Sequence, residues 1–144
     1  MRVVLDTNVV LSGLLYGGRP LEILNLARSR SIEVYTSLDA VNELLSVLAR
    51  SEFLDRLQLL GEDTKSVIDG YMAVAVVLDS VPGPGICADP TDDPFIGLAI
   101  TSKADFLVTG DKHLLACAGK SPVRIVTPSE FLSICSQEGL DRGA

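Results

Sequence analysis

Asp6, Glu43, Asp93 and Asp111 are the side chains of this sequence best suited to chemistry, and three of them occupy one kind of position. Asp6 follows the apolar run Val3-Val4-Leu5, Asp111 follows Phe106-Leu107-Val108-Thr109-Gly110, and Asp93 precedes Pro94 at the expected start of a helix. In an open α/β sheet, ligands bind outside the carboxyl ends of the strands, so acids that end buried strands or open the next helices gather on one rim. Carboxylates grouped in this way need a counter-charge, and the exit of the first strand carries no Lys, Arg or His. All-oxygen ligation with retained waters is the preference of Mg2+ or Mn2+. A cluster holding one or two such ions suits phosphodiester hydrolysis, because bound cations acidify water and stabilise the attacking and leaving oxygens.

Taken singly, each acid has a plainer explanation. An Asp before Pro at the first helical position is a natural N-cap, as is Asp111 ahead of Lys112. Glu43 lies off the apolar stripe Val41, Leu44, Leu45 and Leu48, and alone reads as a solvated face. The crowding of Asp89, Asp92 and Asp93 favours the chemical reading, since like charges so close repel unless solvated, dipole-stabilised or bound to a cation. Other schemes lack their parts: no Gly-rich phosphate loop, dinucleotide fingerprint or serine-nucleophile elbow is present. His113, alone of its type, reads as a surface residue at a helix start. Cys87, Cys117 and Cys135 sit in apolar surroundings where packing explains them better than reactivity.

The elements that must position these acids are legible as alternation. Short β-branched runs at Val3–Leu5, Ile32–Thr36, Phe106–Thr109 and Val123–Thr127 are separated by helical patterns, the signature of a parallel sheet covered on both faces. The expected fold is three-layer α/β/α, with a central parallel sheet of four to five strands. Thr7 and Asn8 are read as a turn after the first strand. Gly17 and Gly18 mark a loop, Pro20 opens a helix over Leu21–Arg28, and Ser37 caps the helix carrying Glu43. From Glu52 to Asp79 the pattern predicts two helices joined near Gly61, the second nearly apolar from Val67 to Leu78 and either well buried or part of a subunit contact. Val81-Pro82-Gly83-Pro84-Gly85 is a rigid turn. Residues 1–137 form one expected domain, with 138–144 a polar tail.

Size and charge narrow the function classes. With 144 residues, 47% of them hydrophobic, the chain can bury roughly two thirds of its unfolded surface in a single core. A net charge of −7 and scattered basic residues exclude a protein held to nucleic acid by broad phosphate neutralisation, though bound cations can mediate contact with RNA. The odd cysteine count without C-x-x-C spacing suggests neither disulfides nor zinc, and no apolar run approaches the ~20 residues of a membrane span. No signal peptide is expected and the cytoplasm is the expected location.

Four segments in order, D-T-N-V-V-L-S from Asp6, N-E-L-L-S-V-L around Glu43, D-P-T-D-D-P-F-I-G-L-A from Asp89 and A-D-F-L-V-T-G-D ending at Asp111, resemble the PIN-domain family. The likeness is strongest to VapC-related toxin components of toxin-antitoxin pairs, and it covers nearly the whole chain. It implies an endoribonuclease acting on single-stranded RNA, with Asp6, Glu43, Asp93 and Asp111 binding Mg2+ or Mn2+ and Asn8 and Thr109 as supporting polar groups. Asp93 matches the third acidic position, three residues before Ile96, and Asp92 is its possible substitute. Pro94 and Gly97 are mild departures from the family pattern, Gly97 standing where a small residue such as Ala is usual. The resemblance further implies a homodimer and a cognate antitoxin whose C-terminal segment covers the acidic groove. Two rivals stand beside it: a catalytically silent PIN-fold binding module, and a Mg2+-binding phosphoacceptor receiver domain, which would need paired acids after the first strand and a Lys ending the last.

Overall fold

The sheet is built from β1 (Arg2–Leu5), β2 (Glu33–Ser37), β3 (Ala75–Leu78), β4 (Phe106–Val108) and β5 (Arg124–Val126) in a computed structural model that describes residues 1–140. All pairings are parallel and the strand order is β3-β2-β1-β4-β5, with Val3 opposite Val34 on one side and Phe106 on the other. This order separates the fold from the receiver alternative, whose strands run 2-1-3-4-5. Successive strand residues point to opposite faces, and both faces are apolar here. Val3, Leu5, Val34, Phe106, Val108 and Val126 enter one core, while Val4, Leu107 and Ile125 enter the other.

The first core is covered by α1 (Thr7–Leu15), α2 (Gly18–Arg28), α3 (Leu38–Leu48), α4 (Ser51–Leu59), α5 (Thr64–Val74) and α8 (Pro128–Gln137). The second lies under α6 (Asp93–Thr101) and the short α7 (Lys112–Leu115). The expected three-layer α/β/α class with a parallel sheet is therefore what the chain forms. No helix among the described residues is long and apolar enough to cross a membrane. Cys87, Cys117 and Cys135 form no disulfide.

Three local expectations need correction. No turn intervenes after β1: α1 begins at Thr7, with Asp6 itself as N-cap. The nearly apolar run Val67–Leu78 is not one helix, since α5 ends at Val74, Ala75 takes extended dihedrals, and residues 75–78 become edge strand β3 beside β2. From Tyr71 to Leu78 the stretch is apolar without a break and has no period, so helix and strand cannot be told apart from it. At the other end, α8 stops at Gln137, and Gly139 in the left-handed region turns the chain so that Leu140 packs against the core. The polar tail expected from residue 138 thus begins with an anchored turn, and residues 141–144 lie outside the described residues.

The loop from Val81 to Cys87 has no regular structure and crosses the start of α6. It passes close to Gly97: a methyl group there would overlap the carbonyl oxygen of Pro82, a backbone atom that cannot swing aside. This explains Gly at a position where even a methyl group is too large. Gly97→Ala should destabilise the fold by about 1–3 kcal/mol through overpacking. Urea unfolding measures it, and a variant as stable as the parent would refute the close approach.

Candidate active site

Asp6 is buried at the sheet's carboxyl edge because β1 delivers it there: its own N–H continues the parallel ladder by donating to the Val108 carbonyl at 3.1 Å. One carboxylate oxygen, Oδ1, accepts the Val9 N–H at 2.8 Å and caps α1. The other, Oδ2, accepts the hydroxyl hydrogen of Thr109. Thr109 has no exposed surface, and its hydroxyl oxygen also accepts the Asp111 N–H at 2.9 Å. A single buried hydroxyl therefore ties the residue after β1 to the residue opening α7. Asp111 in turn caps α7 by accepting the His113 N–H at 2.8 Å.

Glu43 reaches the same place from α3, where Ser37 provides the expected cap to the Ala40 N–H. Its position off the apolar stripe leaves it exposed, and the hydroxyl of Thr7 donates to its Oε2 at 2.8 Å. Thr7 is the contact that sequence reasoning missed. The apolar periodicity of α3 says only that Glu43 faces away from the core; the start of α1 fixes which way.

Asp92 and Asp93 separate although they are neighbours. Asp92 occupies the N-cap position of α6 but makes no capping bond, and its half-buried side chain lines a cavity of about 300 Å³ together with Asp6, Glu43, Asp89 and Asp111. Asp93, expected as cap and as third ligand, is the first helical residue and does not line that cavity. Its oxygens instead accept the N–H groups of Gly85 at 2.6 Å and of Ile86 and Cys87 at 2.8 Å each. Gly83 stays bare for the same reason, because a methyl group there would collide with the Asp93 carboxylate. The cavity thus brings together Asp6, Glu43, Asp92 and Asp111, with Asp89 beside them and Asp93 turned away. Asn8 lines the cavity too, while Thr109 supports it from beneath.

The electrostatics follow this division. Burial raises the Asp6 carboxyl above its ordinary value, the Thr109 and Val9 hydrogen bonds oppose that rise, and the charges of Asp111 and Asp92 add to it. Burial also raises Asp92, followed by the charges of Asp111 and Asp89, with His113 opposing and Glu43 adding. Burial alone would raise Asp93 as well, yet the amides of Cys87, Gly85 and Ile86 together outweigh it and hold the carboxyl below its usual range. Thr91, through its hydroxyl and its N–H, holds Asp89 low in the same way.

No cavity carboxylate is in an ion pair; among the described residues the pair is Lys65 with Asp69 at 2.6 Å, on exposed α5. Asp6 and Asp92 are therefore held against like charge, which a divalent cation would relieve, and carboxylate oxygens are the donors such hard ions prefer. As placed, no three acidic, His or Cys side chains among the described residues close on a common point. Ligation would call for rotation of the exposed Glu43 side chain on α3 and the half-buried Asp111 side chain at the start of α7. The residues fit a divalent ion in donor type and in charge. A larger cavity of about 570 Å³, between α2 and α8, has Glu22 as its one acid and no comparable grouping.

A family model described as PIN domain matches residues 2–113. An uncharacterized protein of Methanocaldococcus jannaschii is 29% identical over 145 aligned residues, covering 92% of this chain and 90% of that protein. The crystal structure of FitAcB from Neisseria gonorrhoeae superposes with a TM-score of 0.54 at 19% identity, covering 88% of this chain and 98% of its own, a likeness of fold.

Proposed function

The chain belongs to the PIN domain family, and on that premise we propose that it is a Mg2+- or Mn2+-dependent endoribonuclease that cuts single-stranded RNA, acting as the toxin of a toxin-antitoxin pair. The observation that carries this reading is the gathering of Asp6, Glu43, Asp92 and Asp111 around one cavity at the sheet's carboxyl edge, with no ion pair among the described residues to neutralise them. A divalent cation bound among them would supply an acidified water and charge stabilisation for the oxygens of the phosphodiester.

The protein's own groups do the positioning. Thr109 and the Val9 N–H hold both Asp6 oxygens in a set direction at the edge of the cavity that Asp6 lines. Thr7 steers Glu43 and the His113 N–H steers Asp111. Such supporting bonds orient ligands before anything binds, and losing them typically costs 10- to 100-fold in affinity or activity, as an order of magnitude. Asp93 serves the site indirectly, by fixing the loop that precedes Asp92.

A homodimer, a cytoplasmic setting and a cognate antitoxin belong to the same proposal. An acidic rim is electrostatically complementary to a basic antitoxin segment laid across it. The central test is direct. Purified protein given mixed-sequence single-stranded RNA should cleave it with Mg2+ or Mn2+, stop on adding EDTA, and resume when the ion is restored. Cleavage indifferent to EDTA, or none with either ion, would sink the reading.

A further inference from the structure

An acidic cavity faces an obvious difficulty with a polyanionic substrate, and one edge of the cavity answers it. Arg50, just after α3, is the one basic side chain lining it, and Phe53, in the first turn of α4, lines it beside Arg50. Arg50 is exposed and joins no ion pair among the described residues, although five carboxylates share the cavity. Phe53 is half-buried: it packs against the first core and keeps part of its ring toward the cavity. A surface cation beside an aromatic ring is the pairing that holds single-stranded nucleic acid, the cation on a phosphate and the ring under a base.

We infer that Arg50 and Phe53 are positioning residues for single-stranded RNA, Arg50 taking a backbone phosphate and Phe53 stacking the adjoining base, so that the neighbouring phosphodiester lies over the carboxylates. This rests on the nuclease reading above and adds the strand contacts that reading lacks. It also explains selectivity for single strands, since a base paired within a duplex cannot be laid on Phe53. With Arg50 on one edge, the strand's charge is compensated where it enters and the scissile bond alone meets the acids.

The test combines steady-state cleavage with binding of a fluorescent oligouridylate in Ca2+, using the full chain. Arg50→Ala should raise KM about tenfold with kcat nearly unchanged, and should flatten the plot of log affinity against log salt by about 0.7, the contribution of one single-strand phosphate contact. Arg50→Lys should restore the salt slope. Phe53→Leu, which keeps apolar packing against the core, should raise KM at least about fivefold through lost stacking and narrow the preference for single strands over duplex. Thermal unfolding of each variant checks that the fold is intact. If the parent protein cleaves RNA while both variants keep its KM and salt slope, the strand-contact inference is wrong and the nuclease reading survives. If the parent cleaves nothing, the nuclease reading fails, and the binding slopes still decide whether Arg50 and Phe53 hold RNA.

Discussion

Asp6→Asn is expected to abolish metal-dependent cleavage and, without added metal, to leave the protein at least as stable as the parent at neutral pH. The two effects have one cause. Asp6 is buried beside like charges, so its folded-state pKa lies above the ordinary value of 3.8. The folded protein thus holds this proton to higher pH than the unfolded chain does. Stability associated with the group is complete below its unfolded pKa and is lost as pH rises toward and through the folded one, so at pH 7 the charged side chain works against folding. Asn removes that charge while its oxygen can still accept the Val9 N–H, and Asn is as good a cap as Asp. Losing several kcal/mol of charge stabilisation in the transition state corresponds to a rate loss on the order of 10³-fold. The parent should also gain thermal stability on adding Mn2+, by mass action on the folded state, and Asp6→Asn should not. Melting curves with and without Mn2+, run alongside RNA cleavage, check both halves. A variant less stable than the parent in EDTA would overturn the account of Asp6 as a strained buried charge.

What could be read from residues alone depended on how local the determinant was. The first strand and its terminal acid are legible because Val3, Val4 and Leu5 need burial and Asp6 cannot follow them into the core. Ser37 and Asp111 are legible as caps because the bond each makes is within three residues. β3 was hidden because residues 71–78 are apolar on every side, and only pairing with β2 decides where helix gives way to strand. The direction Glu43 faces is not legible from the periodicity of α3, because the partner that fixes it, Thr7, lies on a different helix. Arg50 and Phe53 were missed for a like reason: no pattern within α4 says that its first turn borders a cavity opened by β1. Determinants spread across elements are set by tertiary packing, which a linear period does not encode.

The adjacent pair Asp92 and Asp93 is the sharpest case, and it gives the second large expected effect. Both precede Pro94, and helical phase alone cannot say which faces the rim. The loop decides, because three amides from Gly85, Ile86 and Cys87 converge on Asp93 and draw it away from the cavity, leaving Asp92 to face Asp6 and Asp111. Asp93→Asn keeps one acceptor oxygen but sets an amide donor against backbone donors. Hydrogen bonds to a charged acceptor contribute about 1.5–3 kcal/mol each, and buried N–H groups are costly to leave unpaired, so a loss of about 3 kcal/mol is expected. Because the folded pKa of Asp93 is depressed, its contribution is present above 3.8 and is lost as pH falls through the folded value. The stability gap between parent and Asp93→Asn should therefore stay constant from pH 5 upward and shrink only in strong acid. Asp92→Asn should behave oppositely: its pKa is raised, so removing its charge should leave stability unchanged or improved while cleavage and the Mn2+-induced rise in melting temperature disappear. Asp93→Asn, kept folded in the cold, should still respond to Mn2+. If Asp93→Asn instead proves stable and unresponsive while Asp92→Asn cleaves normally, then Asp93 is the ligand and the loop must release it when the ion binds.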